Sequence, residues 1–188
     1  IPRIDYTNGE PSILLEPQRT NLIGNNSTAP PVGSATITNN YAISPEGIQN
    51  SIRVVTTGSG NNSGVIYSVN NSSTTDTITY SAYVKGEKGK TIHIRFETTP
   101  YSLQAQELLL LDGTWQKYTK TINYTGAPTH TLKQFYLTSI LSATATDFQV
   151  YGAQAEVGSY ATSLIHTSGS TVTRSADAAN NAGNSDLF

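Results

Sequence analysis

Between residues 76 and 98 the chain alternates apolar and polar side chains with a period of two, interrupted only by Gly86-Glu-Lys-Gly89. In 76–85, Ile78, Tyr80, Ala82 and Val84 fall on one side, and Thr79, Ser81, Tyr83 and Lys85 on the other. In 90–98, Ile92, Ile94 and Phe96 oppose His93, Arg95 and Glu97. Such alternation belongs to extended strands, because successive Cβ atoms of a pleated backbone point to opposite faces. Half-apolar strands bury one face and wet the other, which is the pattern of antiparallel sheets. No apolar stripe of helical spacing persists for about ten residues, so helices are not expected to build the core.

The same reading extends along the chain. Segments rich in β-branched and aromatic residues recur at 12–16, 35–43, 50–56, 64–69, 76–85, 90–98, 106–111, 115–124, 131–138 and 146–157. Between them lie turn-forming clusters such as Gly58-Ser-Gly-Asn-Asn-Ser-Gly64, Asp112-Gly113 and Gly126-Ala-Pro128. Strands of this number with unequal loops predict an all-β fold, a jelly-roll β-sandwich of two antiparallel sheets about 10 Å apart. The sandwich is expected over 35–157, with an irregular N-terminal flank of 1–34 and a C-terminal flank and linker tail of 158–188. The Pro30-Pro31 pair argues against regular hydrogen bonding in its surroundings.

Composition narrows the function. Charged residues are 13% of the 188, whereas Thr, Ser and Asn are abundant and there are 11 Tyr, a surface suited to hydrogen-bonding neutral partners. With 11 basic against 13 acidic residues and no basic run, the charge that phosphate-backbone binding needs is missing, and nucleic acid is not an expected partner. The lack of Cys removes disulfides, thiolate nucleophiles and zinc–thiolate sites. No apolar run reaches the roughly 20 residues of a membrane span, so no membrane insertion is expected. Because the chain begins at Ile1 without Met, it reads as a piece of something longer.

Catalytic constellations are hard to assemble. Glycoside hydrolysis usually needs two carboxylates about 5–10 Å apart across a cleft. Glu97 and Glu107 flank one connection and are the pair placed to face each other. No Gly-x-Ser-x-Gly elbow frames a serine. Neither His-x-His nor His-Glu-x-x-His spacing offers a transition-metal site to His93, His130 or His166. The protein is expected not to be an enzyme.

Sugar recognition is the chemistry that remains. Pyranose rings present C–H faces to aromatic rings and hydroxyls to amides, carboxylates and arginines. The polar side of 76–98 offers Tyr83, Lys85, His93, Arg95 and Glu97; Gln134 and Tyr136 share a face of 131–138 that would extend it, and Tyr101 would form a rim. The expected carbohydrate-binding residues are Tyr83, His93, Arg95, Glu97, Tyr101, Gln134 and Tyr136. The same face would equally suit burial against a neighbouring subunit, since tyrosine is common in interfaces. Tyr118 and Ile122 are assigned to the core, and Trp115 to a structural role at a strand start.

Two flanking runs carry a resemblance. Pro11-Ser-Ile-Leu-Leu-Glu16-Pro-Gln-Arg19-Thr-Asn21-Leu and Gln154-Ala-Glu-Val-Gly-Ser-Tyr-Ala-Thr-Ser-Leu-Ile-His-Thr, continuing to Arg174-Ser-Ala-Asp177, are similar to segments that bracket a domain of phage fibres and spikes. His166 stands where many relatives have proline. Between the flanks, Tyr80-Ser-Ala-Tyr-Val-Lys85, Asp112-Gly-Thr-Trp115, Phe135-Tyr-Leu137 and Asp147-Phe-Gln-Val150 resemble, in order and spacing, the strand signatures of family 4/9 carbohydrate-binding modules. The resemblance implies a non-catalytic carbohydrate-binding or adhesion domain of a phage fibre, spike or virion-surface protein. Its partner would be a polysaccharide or cell-surface glycan, its assembly a homotrimer, and its location the virion surface or the extracellular space. A purely structural trimerising decoration domain, or an accessory module of a polysaccharide-degrading enzyme, are the alternatives. A structural calcium near the chain ends is also implied, for which Glu16 and Asp147 are the carboxylates at hand; no other cofactor is expected. Arg19, Asn21, Arg174 and Asp177 are expected to tie the flanks to each other at the base of the sandwich.

Overall fold

The computed structural model describes residues 3–5, 9–10, 12–57, 62–69, 76–124, 132–139 and 145–178, and no helix occurs among them. Two five-stranded antiparallel sheets form the sandwich. The first has the order β10 (Ser102–Leu110), β9 (Thr91–Thr99), β12 (Leu132–Thr138), β7 (Gly64–Val69), β4 (Pro31–Val32). The second runs β11 (Gln116–Asn123), β8 (Thr77–Gly86), β13 (Thr146–Val157), β6 (Ile52–Thr56), β5 (Ala35–Thr38). Outside them, β1 (Arg3–Asp5) pairs with β2 (Ser12–Leu14), and β3 (Arg19–Asn21) with β14 (Val172–Arg174).

Period-two patterning locates the central strands closely, and the flanks, mostly irregular as expected, differ in detail. The expected strand over 12–16 pairs with β1 rather than joining the sandwich. Pro31 sits in a regular pairing, opposite Val65, with Pro30 C=O accepting from Ile66 N–H at 3.1 Å. A sheet edge tolerates proline because its missing N–H faces away from the ladder.

The core lies between the inward faces. Ile78, Tyr80, Ala82 and Val84 of β8 meet Ile92, Ile94 and Phe96 of β9, with ring centroids of Tyr80 and Phe96 4.9 Å apart and of Phe96 and Phe135 5.2 Å apart. Tyr80 and Tyr124 are fully buried and satisfy each other's hydroxyls at 2.8 Å. Burial holds the Tyr80 phenol well above its ordinary value and pushes Tyr124 up to about 12. Lys133, also inward and buried, lies over the Tyr124 ring at 4.6 Å. Tyr118 and Ile122 are core residues as expected.

Consecutive strands β8 and β9 do not form a hairpin. The turn through Gly89 carries the chain from the second sheet to the first, so the apolar faces of both strands look inward at each other and their polar faces look away in opposite directions. In β10 a register shift between Leu103 and Ala105 adds one residue to the strand. One added residue exchanges the faces of everything beyond it. Glu107 therefore pairs with inward-facing Ile94, and Leu108 with outward-facing His93.

The outward side of the second sheet is covered over parts of β8 and β13, contrary to the half-buried pattern expected of those strands, while Lys117, Thr119 and Thr121 of β11 stay exposed. Thr79, Ser81, Gln154 and Glu156 are buried in the covered part, because both flanks lie across it. β3 runs beside β13 where β6 stops, with Leu22 N–H donating to Ala155 C=O at 2.8 Å. The buried Asn21 amide bridges the elements. Its oxygen accepts from Ile23 and Ala155 N–H, both at 3.1 Å, and its nitrogen donates to Ile165 C=O at 3.0 Å and Ala153 C=O at 3.4 Å. Gln154 accepts from Ile165 N–H at 2.7 Å, Glu156 takes Thr162 N–H at 2.9 Å together with the Thr162 hydroxyl, and Asn26 exchanges bonds with Thr167 and Ile165. Arg174 pairs with Glu16 at 2.9 Å, whose carboxylate also accepts from Ser163 N–H. Asp177 closes the ring, accepting from Glu16 N–H at 3.0 Å and returning its own N–H to Glu16 C=O. The flanks are thus tied together through Asn21, Arg174 and Asp177, but across the outward face of the second sheet rather than at the base of the sandwich, and among the described residues the Arg19 side chain contributes only by lying over the Tyr160 ring.

Candidate functional site

The outward face of the first sheet gathers five of the seven expected sugar-binding residues. Cross-strand registers place Arg95 opposite Tyr136, Glu97 opposite Gln134, and His93 opposite Thr138. Arg95 donates to Glu97 at 2.6 Å, with side chains 13% and 7% exposed, and its guanidinium lies 4.7 Å from the Tyr136 ring centroid. The Tyr136 hydroxyl is a hydrogen-bond partner of Glu97; burial first, and that carboxylate second, hold the phenol above its ordinary value. Gln134 accepts from the Thr99 hydroxyl at 3.3 Å. Tyr101, 74% exposed, stands at the β9–β10 turn beside the Glu97 end of this face. The expected open aromatic platform is therefore corrected in one respect: Tyr136 is only 9% exposed and already carries a cation on its ring.

What the face offers is polar chemistry held in place. The Arg95 Nε and His93 Nδ1 atoms have no hydrogen-bond partner among the described residues. Buried polar groups rarely stay unpaired, and each costs about 1–3 kcal/mol when they do. Beside them β10 presents Gln106, a side-chain partner of His93, and exposed Leu103, Leu108 and Leu110. These β10 residues were not anticipated, since only the shift near Leu103 turns Leu108 and Gln106 outward; no local pattern announces it.

Burial first, and the Arg95 charge second, lower the His93 pKa. A base that binds its proton less readily folded than unfolded contributes stability fully above the free-imidazole value of about 6.5, and that contribution is lost as pH falls through the lower folded value. Melting at a series of pH values should therefore show a fall below about pH 6.5 that is smaller in His93→Gln than in the unsubstituted protein. An identical fall in both would contradict this assignment.

Tyr83 is not part of this face. Being on β8, it points outward from the second sheet, 6.2 Å from Tyr151 and near Lys117. The two candidate glutamates are also separated: Glu97 is outward and bound to Arg95, while Glu107 takes the Tyr118 hydroxyl and lies 3.6 Å from Lys120. They do not face each other, and these two do not form a glycosidase pair. The carboxylates considered for calcium fit it poorly as a pair, because Asp147 is held by Arg53 at 2.5 Å and Glu16 by Arg174. Among the described residues no group of three or more His, Cys, Asp or Glu side chains converges. Trp115 donates its indole N–H to Ile43 C=O at 3.3 Å and stays half-buried at the start of β11, in keeping with a structural role. His130 lies outside the described residues.

Solved structures share this architecture. A structure described as "CBM4 structure and function" is 14% identical, with a TM-score of 0.51 over 72% of this chain and 99% of that one. The Clostridium thermocellum xylanase 10B fragment with CBM22-1 and GH10 modules, complexed with xylohexaose, is 13% identical with a TM-score of 0.51, covering 76% of this chain and 28% of that one. The likeness is one of fold: the two-sheet β-sandwich is shared with these carbohydrate-binding modules. The same fold also serves a Stig cyclase from Fischerella sp. TAU, 14% identical with a TM-score of 0.51 over 84% of this chain and 89% of that one. Such a likeness fixes architecture and leaves activity to the residues of the site. No protein-family model and no curated protein matches the chain.

Within this sandwich the residues that sequence reasoning missed fall into two groups. Gln106 and the β10 leucines complete the first face. Gln154, Glu156 and Thr162 belong to the flank network, the clasp, on the second, together with Glu16, whose expected role was calcium binding. The spacing of Gln154, Glu156, Thr162 and Ile165 carried the family resemblance, so a signal was present; its meaning lay in contacts made outside any strand.

Proposed function

We propose that this domain binds a polysaccharide or cell-surface glycan, without cleaving it, through the outward face of β9, β10 and β12. The observation that carries the reading is the linked set Arg95–Glu97–Tyr136 with His93 and Gln106, gathered on one outward face and ordered by internal contacts. Sugar hydroxyls, each both donor and acceptor, suit such a set. Gln134 extends the polar row, and Tyr101 and Leu108 supply exposed apolar surface for C–H faces. The flank motifs support a setting in a phage fibre, spike or other virion-surface protein, extracellular or on the virion, assembled as a homotrimer. A panel of immobilised polysaccharides probed with the protein and with Arg95→Ala tests the reading. Retention on at least one glycan, lost in the variant, is expected; no retention on any of them would overturn it.

One observation favours a purely structural decoration role instead. Leu103, Leu108 and Leu110 are exposed on an edge strand of nine residues, the kind of surface that partners cover. Sedimentation equilibrium separates the two: a trimer dissociated by Leu108→Lys, with glycan binding absent, would support the second.

A further inference from the structure

The clasp does not fill the outward side of the second sheet. Between the flanks and β8–β11 remains a cleft of about 370 Å³, with Tyr83, Lys117, Tyr160, Leu15, Leu164 and Glu16 in its walls. Sites for small ligands run to about 300–1,000 Å³. Lys117 is opposite Tyr83 in the β11–β8 register, its ammonium 5.9 Å from the ring centroid. Tyr160 is 52% exposed, with the Arg19 guanidinium 5.3 Å from its ring centroid, and Leu15 is 53% exposed. An exposed tyrosine and an exposed leucine at the mouth of one cleft leave apolar surface in water.

The charge of the cleft is asymmetric. The lining carboxylate, Glu16, is buried and already engaged by Arg174 and by Ser163 N–H. Lys117 is exposed and has no carboxylate partner among the described residues. The charge available to a ligand is therefore positive, and the walls are two phenol rings with aliphatic neighbours. Rings match the C–H face of a pyranose, and an ammonium matches a carboxylate.

We propose that this cleft is a second glycan site, selective for a sugar residue that carries an acid group and independent of the β9–β12 face. Its ligand is a uronic-acid unit or a sugar with an equivalent carboxylate, seated between Tyr83 and Tyr160 with its charge at Lys117. Calorimetric titration of the 188-residue chain with galacturonic acid oligomers, and with glucose oligomers of equal length, tests this. Galacturonate affinity should fall roughly ten-fold in Lys117→Gln and in Tyr160→Ala and weaken as salt is raised. It should be unchanged in Arg95→Ala, and glucose oligomers should not compete. No galacturonate binding, binding indifferent to Lys117→Gln, or loss in Arg95→Ala instead would overturn the proposal; the last would assign the acidic sugar to the first face.

Discussion

Replacing Asn21 with Ala is expected to lower the melting temperature by roughly 6–20 °C. Asn21 is fully buried, and its amide uses both ends, accepting twice from backbone N–H groups and donating twice to carbonyls. Alanine leaves four backbone groups without their partner, at about 1–3 kcal/mol for each that water cannot reach. The 3.4 Å bond to Ala153 is the weakest of the set, so a total near 3–5 kcal/mol is the realistic sum. For a domain of this size each kcal/mol moves the midpoint by about 2–4 °C. Asn21→Asp should not rescue it, because a second carboxylate oxygen would then face the Ile165 and Ala153 carbonyls. Thr20→Ala, one residue away and half-exposed, should cost far less. A shift below about 2 °C for Asn21→Ala would show that the flanks are not integral to the sandwich.

The second large effect is on binding. Arg95→Ala should weaken glycan affinity by about 10–100-fold, the value of one hydrogen bond to a charged group at about 1.5–3 kcal/mol. Arg95 is the centre of the face, touching Glu97 through its Nη1 and the Tyr136 ring through its plane. Its removal also leaves Glu97 buried without its cation, so some stability is lost with the affinity. Arg95→Lys separates the two effects. It keeps the charge beside Glu97 but not the planar fork that stacks on Tyr136, so it should recover much of the melting temperature and little of the affinity. Recovery of both by lysine would mean that charge alone matters and would remove Tyr136 from the site.

Strand positions were legible in the sequence because alternation is a local property. Phe96 and Ile94 fall inward and Arg95 and Glu97 outward by period alone, and the structure places them so. Strand order is not local. The short turn between Lys85 and Lys90 reads like a hairpin, yet β8 and β9 join different sheets, which removes Tyr83 from the company of Arg95. Glu107 was misplaced for a related reason: an extra residue near Leu103 exchanges faces without a glycine or other marker. The covered second face was illegible because Asn21, Gln154 and Glu156 look like ordinary polar residues until their partners are known: Ala155, 134 positions away, for Asn21, and the irregular segment after β13 for the other two.

The second sheet of the sandwich is partly covered by the flanking segments, and the first sheet presents the Arg95–Glu97–Tyr136 set on its outward side. The most direct test of this arrangement is an amide chemical-shift map of the labelled protein titrated with a neutral oligosaccharide from whichever polysaccharide retains it. The largest changes are expected in β9, β10 and β12, at Arg95, Gln106 and Tyr136 above all, with Asn21 and Ala155 unmoved. Changes centred on β13 and the flanks, with β9 and β12 silent, would contradict it.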